Sequence, residues 1–274
     1  MFKGKQKNII PLTVLIFLDG WGIAPTADNN AISLSKTSYI DYLIENYPAG
    51  VLSALSKENI SREEVYKTYG MGLGDFFHKK ELRQCRIGVS ENIALLSEFF
   101  DQGSFSLGAK YNIEIISKKI INNDLSEDTR KIKDVAVKII KKTQADFIVL
   151  NFINADISVN FKEEELIKNI SVIDYNIKQI IDSVLRQNGQ VFIVGSFGRA
   201  EQHFDINTEK RAQGPSANPV PLIIVAEKYL GKNFSWPSPS GIDLSTVEPI
   251  GSITNFAPSL LSFLKQENLE FIIR

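Results

Sequence analysis

The sequence is poor in the residues that build disulfides and imidazole metal sites, and it has almost no net charge. A single cysteine, Cys85, occurs in 274 residues, which excludes an internal disulfide and suits a reducing compartment. The two histidines, His78 and His203, are too few for a histidine-rich metal site. Lys and Arg number 31 against 32 Asp and Glu, so no strong field attracts nucleic acid or an anionic membrane. We therefore expect neither as a partner.

The sequence also lacks a long apolar run near its start. The apolar patch that follows the first lysines reaches Asp19 too soon to be a signal-peptide core or a membrane span. We therefore expect a cytoplasmic protein. Hydrophobic residues make up 43% and charged residues 23%, which is ordinary for a soluble globular protein of this size.

The stretch from Val14 to Gly22 has the pattern of a buried strand that ends in a carboxylate and a tight turn. Leu15 to Leu18 form an apolar run of the length of a central parallel strand, and Asp19 follows immediately. In open α/β sheets, ligands bind outside the carboxyl ends of the strands. Asp19 therefore stands where a metal or a substrate is held, although an Asp that caps a strand-to-helix turn has the same spacing.

Strand and helix patterns alternate along the rest of the chain. Short apolar runs predict strands at 51–55, 113–116, 147–152, 191–194, 222–225 and 270–273. Apolar spacings of three and four predict helices capped by Thr37 or Ser38 and by Ser126 or Asp128, a long helix with a buried face from Leu166 to Val184, and a short helix over 257–264. This alternation predicts a three-layer α/β/α fold with a mostly parallel sheet.

Several short motifs occur in the same order as in a known family. They are Asp19-Gly-Trp-Gly22, Asn30-Ala-Ile32, Leu34-Ser-Lys-Thr37, Tyr47-Pro48 and Leu52-Ser-Ala54. Together they resemble the opening of the cofactor-independent phosphoglycerate mutases, which are two-metal enzymes of the alkaline phosphatase superfamily. The resemblance implies one alkaline-phosphatase-like domain over residues 1–274 and an ancestry related to glycolysis.

Residues 56–80 stand where the resembled family carries a large inserted domain that holds the phosphoglycerate. They are irregular, polar and rich in glycine, so we interpret them as a short connector that replaces the domain. The resemblance resumes at Leu82-Arg83 and Glu91-Asn-Ile-Ala94, which match the family segment L-R-I-A-E-T-E-K-Y-A-H-V-T-Y-F-F-N-G-G. The phosphate-facing lysine of the family falls at Asn92, and its histidine falls at Leu95.

Most catalytic positions of the resembled enzymes are changed. Those enzymes form a phosphoserine with two Mn or Zn ions, and their serine motif M-G-N-S-E-V-G-H aligns with Met71-Gly-Leu-Gly-Asp-Phe-Phe-His78. The nucleophile therefore falls at Gly74, which has no hydroxyl. Two metal-binding carboxylates survive, as Asp19 and Asp156. The other metal-ligand positions of the family hold Asn160, Ser196, Phe197, Ala212 and Pro215.

The surviving carboxylates are too few for a catalytic metal pair. In the resembled family they serve different metals, so each metal keeps about one protein ligand, against three or four in a typical catalytic site. We therefore expect no cofactor and at most weak Mg²⁺ binding, since Mg²⁺ retains many waters. A site rebuilt from Glu201, His203 and Asp205 is disfavoured, and His203 fits a surface loop better.

Framework motifs such as Asn218-Pro-Val-Pro221 are intact although the ligand positions are changed. The leading hypothesis is therefore a phosphoglycerate-mutase-like pseudoenzyme that binds or scaffolds an unknown protein partner or an anionic small molecule. In one form of this hypothesis, Arg199 and Arg211 hold an anion. The alternative is a divalent-metal-dependent phosphatase or phosphotransferase with a site remodelled around Asp19 and Asp156.

Overall fold

A computed structural model describes residues 10–54, 73–89, 111–115, 125–153, 155, 162–204, 210–211, 214–234 and 243–266. One sheet contains the strands β1 Thr13–Gly20, β2 Ala49–Ser53, β3 Gln84–Gly88, β4 Tyr111–Ile115, β5 Phe147–Phe152, β6 Gln190–Gly198, β7 Val220–Val225 and β8 Gly251–Ser252. The α-helices of these ranges are α1 Ser38–Asn46, α2 Leu73–Lys79, α3 Ser126–Lys141, α4 Glu163–Leu185 and α5 Phe256–Gln266.

The sheet is centred on β1. The strand order is β4-β3-β5-β1-β6-β7-β2-β8, and β1 runs parallel to both of its neighbours, β5 and β6. Among the described pairings, only those of β7 with β6 and β2 are antiparallel. Every residue of β1 is buried, as expected for a parallel strand covered on both faces. The predicted α/β class with a mostly parallel sheet is confirmed.

Aromatic side chains pack α2 and α5 onto one face of the sheet. Phe77 of α2 stacks on Phe147 of β5, with ring centroids 3.9 Å apart. Phe256 of α5 meets Phe17 of β1 edge to face at 6.4 Å. Helices α1, α3 and α4 pack on one another and cover the opposite face, which completes the three layers.

Most predicted elements are confirmed with shifted ends. The strands at 51–55, 113–116, 147–152, 191–194 and 222–225 correspond to β2, β4, β5, β6 and β7, and the long helix corresponds to α4. The closing strand predicted at 270–273 lies outside the described residues. β3 was not predicted, and it places Cys85 in the core, as expected for a small buried residue.

The irregular structure predicted for residues 56–80 is wrong for 73–79, which form helix α2. The glycine-rich stretch at 70–74 indicated flexibility. However, Leu73 and Phe77 are one helical turn apart, and both side chains are completely buried. Packing against the sheet therefore outweighs the low helix propensity of glycine. That the segment replaces an inserted domain stays a prediction, as does a single domain over 1–274.

No helix in the described ranges is long and apolar enough to cross a membrane.

The start of α1 is capped from another helix. Thr37, one of the two predicted caps, makes no side-chain capping bond at the helix start. Instead, the Asp174 carboxylate of α4 accepts hydrogen bonds from the backbone N–H groups of Tyr39 and Ile40, the latter at 2.7 Å. Asp174 is 7% exposed, and burial raises its pKa, opposed by the two backbone hydrogen bonds.

The predicted caps of α3 are also wrong. The helix begins at Ser126, and the residue before it, Leu125, has no capping side chain. Its backbone N–H donates to Asn169 Oδ1 of α4 at 3.1 Å. Buried polar side chains of α4 thus organise the starts of both neighbouring helices.

Replacing Asp174 with Ala is expected to lower the free energy of unfolding by about 1–2 kcal/mol, because two helix N–H groups lose their acceptor. Urea denaturation provides the measurement. Asp182→Ala is the matched control, since Asp182 lies on the same helix and pairs only with exposed Lys178 in the described contacts. It is expected to change the free energy by about 0.5 kcal/mol or less. Equal losses in the two variants would contradict the capping role.

Candidate functional site

The polar residues predicted at the end of β1 meet those at the end of β6. Asp19 is completely buried, and its carboxylate accepts a hydrogen bond of 2.5 Å from Ser196 Oγ. A β-bulge shifts the register after Leu18, so that Asp19 lies opposite Phe197 and Ser196 is the extra residue of β6. Bulges re-aim side chains, and this one accompanies the contact of Ser196 with Asp19.

Phe197 fills part of this edge with an apolar ring. It is 2% exposed and belongs to the hydrophobic core. Ser196 and Phe197 stand where the resembled family has adjacent Asp and His ligands. The structure therefore brings the changed positions directly beside the surviving carboxylate of Asp19.

A second buried carboxylate, that of Glu201, joins three chain segments. Its Oε2 accepts from the backbone N–H groups of Gly22 at 3.1 Å and Arg199 at 2.7 Å. Its Oε1 accepts from the hydroxyl of Ser216 and from the side-chain amide of Asn218, the latter at 3.0 Å. Glu201 is 2% exposed, so these four donors take the place of water around its charge.

Two glycines make room for the Glu201 carboxylate. A Cβ atom at Gly22 or at Gly198 would lie within 3.0 Å of the carboxyl group of Glu201. This close approach is the physical reason for glycine in Asp19-Gly-Trp-Gly22 and at the end of β6. The sequence indicated a tight turn at Gly22 but gave no sign of what approaches it.

Backbone hydrogen bonds tie the same segments together. Ile23 donates to Pro219 O at 2.7 Å, and Ala31 donates to Ala200 O at 2.9 Å. Ser216 donates to the carbonyl of Gly198 at 2.7 Å. The motifs around Asp19, Asn30, Ser196 and Asn218, which are distant in sequence, therefore form one assembly at the carboxyl edge of the sheet.

The described residues of this edge do not fit the two-metal centre of the resembled family. Ser196 and Phe197 replace two strong ligands with a neutral hydroxyl and an apolar ring. The Glu201 carboxylate is saturated by protein donors, and Asp19 already accepts from Ser196. Within the described ranges, no group of three or more His, Cys, Asp and Glu residues has the arrangement of a metal site.

The other predicted site residues divide into two groups. Asp156, Asn160 and Ala212 lie outside the described residues, so the predicted role of Asp156 stays a prediction. Arg199 is half-buried at the end of β6, and its backbone N–H also donates to Gly20 O at 3.1 Å. Arg211 is exposed and forms an isolated β-bridge with Phe204.

Gly74 and the two histidines lie in other settings. Gly74 is buried in α2, where its carbonyl accepts from Gln84 Nε2 at 3.0 Å. His78 is exposed on the same helix, in a part of the chain predicted as connector. The side chain of His203 is 13% exposed, which is less than the prediction of a surface-loop histidine implies. Its Nδ1 lies 2.7 Å from Asn29 O.

Arg86 and Asn151 are two buried polar side chains that the sequence analysis missed. Both are completely buried in the sheet, on β3 and β5. Neither Nδ2 nor Oδ1 of Asn151 has a hydrogen-bond partner in the described part of the protein. Asn151 opposes Phe17, two residues before Asp19, so its amide lies near the polar edge of the sheet.

The spacing of the family segment favours Arg86 over Arg83 as the arginine matched at Leu82-Arg83. In the family segment the arginine precedes the second glutamate by five positions, and five positions before Glu91 stands Arg86. In the structure, Arg83 is exposed and pairs with Asp146 at 2.7 Å, whereas Arg86 is buried in β3. Counting back from Glu91 would have identified it.

The strand order, the two helical layers and the polar carboxyl edge together define an alkaline-phosphatase-like α/β protein. The sequence profile of the Metalloenzyme superfamily matches residues 12–265, and the chain belongs to this superfamily.

Relatives include 2,3-bisphosphoglycerate-independent phosphoglycerate mutases. The protein of that name from Clostridioides difficile is 27% identical over 225 residues, which are 79% of this chain and 42% of the relative. The one from Acetivibrio thermocellus is 33% identical over 156 residues, which are 56% of this chain and 30% of the relative. The matches thus span less than half the length of these relatives.

Solved structures show the same fold. An alkaline phosphatase superfamily protein from Vibrio parahaemolyticus superposes with a TM-score of 0.54 at 12% identity. The superposition covers 96% of this chain and 67% of that one. The phosphoglycerate-mutase-like family assignment and the alkaline-phosphatase-like fold expected from the sequence are therefore confirmed.

Substituting Ala for Gly198 is expected to lower the free energy of unfolding by about 2–3 kcal/mol, because the new methyl group displaces the Glu201 carboxylate from its donors. Gly214→Ala is the matched control, since a Cβ there meets nothing within 4 Å. It is expected to change stability by about 0.5 kcal/mol or less. Urea denaturation of both variants makes the comparison. A Gly198→Ala variant as stable as the control would contradict the role of Gly198 in making room for the Glu201 carboxylate.

Proposed function

We propose that this chain is a catalytically inactive member of the superfamily that acts as a binding or scaffold protein. The observation that carries this proposal is the closed contact at the sheet edge. Asp19 is buried against Ser196, and the ring of Phe197 occupies the neighbouring position. A catalytic metal centre instead needs several unoccupied ligands and one open coordination position.

The missing nucleophile supports the same proposal. The resemblance predicts that Gly74 stands at the serine position of the phosphoglycerate mutases, and Gly74 lies in helix α2. Its backbone carbonyl accepts a hydrogen bond from Gln84 Nε2, which joins the helix to β3. A phosphoserine mechanism at this position is chemically impossible, because glycine has no hydroxyl to phosphorylate.

The alternative is a divalent-metal-dependent phosphatase or phosphotransferase with a remodelled site. The names of the relatives and the retained carboxylates of Asp19 and Asp156 favour it. On this alternative, Asp19 would exchange its bond to Ser196 for a metal, and Asp156 would contribute a second ligand. Mg²⁺ suits so sparse a ligand set better than Mn²⁺ or Zn²⁺ does.

An activity assay separates the two functions. Purified protein is incubated with phosphoglycerates and a chromogenic phosphate ester in the presence of Mg²⁺, Mn²⁺ or Zn²⁺. We expect no turnover above the buffer blank, and a phosphoglycerate mutase from a relative serves as the positive control. Metal-dependent turnover that disappears in Asp19→Asn would overturn the inactive assignment. Turnover that persists in Asp19→Asn would point to a contaminating enzyme and is resolved by repurification.

We propose two ligand classes for the binding function. One is a protein partner, and the other is an anionic small molecule held by Arg199 and Arg211. The two residues lie on segments that adjoin Glu201 and Phe204, respectively. The buried carboxylates of Asp19 and Glu201 oppose an anion at the edge itself, so the anion would have to sit towards the solvent side of Arg199. A cytoplasmic location likewise stays a prediction.

Thermal denaturation with millimolar phosphorylated metabolites tests the anion proposal. A bound anion is expected to raise the Tm by a few degrees at concentrations well above its Kd. The shift should vanish in Arg199→Ala and survive in Arg130→Ala, which removes an exposed arginine of α3. The absence of any shift in the parent protein would leave a protein partner as the ligand class.

A further inference from the structure

A cavity of about 260 Å³ lies beside Gly22, which is one of the residues that line it. Its walls come from the turn after β1, from α1 and from residues 243–245. The apolar part of the lining consists of Trp21, Ile23, Ala24, Ile32, Ile40, Ile44 and Leu244. Most of these side chains are buried or half-buried, so the cavity has a preformed apolar floor.

Carboxylates and hydroxyls form the rim of the cavity. Asp41 of α1 and Asp243 are exposed and line it together with Thr26, Ser33 and Ser245. None of the lining residues is Lys, Arg or His. In the described contacts, Asp41 meets Thr37 Oγ1 at 3.4 Å, and Asp243 accepts from Ser245 N at 2.9 Å. Neither carboxylate is paired with a cation there.

Among the described residues, no cation is paired with the carboxylate of Asp41. Partial burial raises its pKa, the hydroxyl of Thr37 acts in the opposite direction, and the carboxylates of Asp174 and Glu45 raise it further. A positive group in the cavity would lower this pKa. The local field thus favours a cation and disfavours an anion.

We propose that this cavity binds an aliphatic cation, in which an ammonium or guanidinium group at the rim is carried by an unbranched apolar chain that lies on the floor. Each part of such a ligand has a counterpart: the chain contacts Trp21 and the aliphatic side chains, and the head group meets Asp41 and Asp243. The same chemistry occurs in a free alkylamine and in a lysine or arginine side chain of a partner protein.

The residues that line this cavity do not include Asp19, Ser196 or Glu201. The cavity adjoins the carboxyl edge of the sheet at Gly22, whose backbone N–H donates to Glu201. The proposed binding at this cavity depends on neither a metal nor a phosphoserine. It is therefore compatible with an inactive protein and with a metal-dependent phosphatase or phosphotransferase.

Titration with pentylamine near neutral pH tests the proposal. Binding is followed by calorimetry and by NMR, through the chemical shift of the indole N–H of Trp21, which lines the cavity. We expect saturable binding with a Kd on the order of 1 mM and a shift of the Trp21 signal. The neutral 1-pentanol and the anionic pentanoate are matched in chain length and should bind at least fivefold more weakly. Equal binding of 1-pentanol would overturn the role of the charged rim.

Variants locate the head group. Asp41→Asn and Asp243→Asn should each weaken pentylamine binding about two- to fivefold, as expected for exposed ion pairs. Asn at 243 retains an acceptor for Ser245 N, so the local turn is preserved. Glu127→Gln, a change of an exposed carboxylate on α3 outside the cavity lining, is the control and should leave the affinity unchanged. Unaltered affinity in the Asp41→Asn, Asp243→Asn double variant would overturn the proposal.

A second arm distinguishes the sources of the cation. The short blocked peptide Ac-Ala-Lys-Ala-amide is titrated in parallel with pentylamine. Binding of the peptide that is weakened by the double variant would support a lysine side chain of a partner protein. Binding of pentylamine alone would support a free amine. If neither ligand shifts the Trp21 signal up to about 20 times the expected Kd, the cavity does not take this class of ligand.

Discussion

The carboxylate of Glu201 is the interaction on which the functional edge of this protein depends. A buried carboxylate without partners costs several kcal/mol, and here four donors from three chain segments offset that cost. The donors lie in the turn after β1, at the end of β6 and in the Ser216–Asn218 segment. Gly22 and Gly198 are required because the carboxylate occupies the space of their side chains. One charge thereby positions motifs that are far apart in sequence.

This arrangement holds the edge together through contacts between protein groups. Asp19 accepts a hydrogen bond from Ser196, and Phe197 extends the hydrophobic core to the place beside them. The stability of this edge therefore rests on β1, on the covering helices and on the bonded Glu201 carboxylate. Fold and activity are separable, and the function of this chain must be argued from its own surfaces and cavities.

Local patterns predicted much of the fold, and long-range contacts account for what they missed. The buried runs of β1, β5 and β6 and the apolar spacing of α4 are properties of the sequence itself. The capping role of Asp174, by contrast, depends on the packing of α4 beside α1. At the site, the resemblance predicted changed ligand positions at Ser196 and Phe197, and the structure places both residues beside Asp19. The saturation of Glu201 and the cavity beyond Gly22 arise only when distant loops meet, so no local pattern indicates them.

Metal content, measured by mass spectrometry on the purified protein and followed by calorimetric titration with Mn²⁺, Zn²⁺ and Mg²⁺, tests the central claim most directly. The closed contacts of Asp19, Ser196 and Glu201 predict no stoichiometric metal and no binding tighter than the millimolar range. Two tightly bound ions per chain would contradict the account, since the carboxylates would then have exchanged their protein donors for metals.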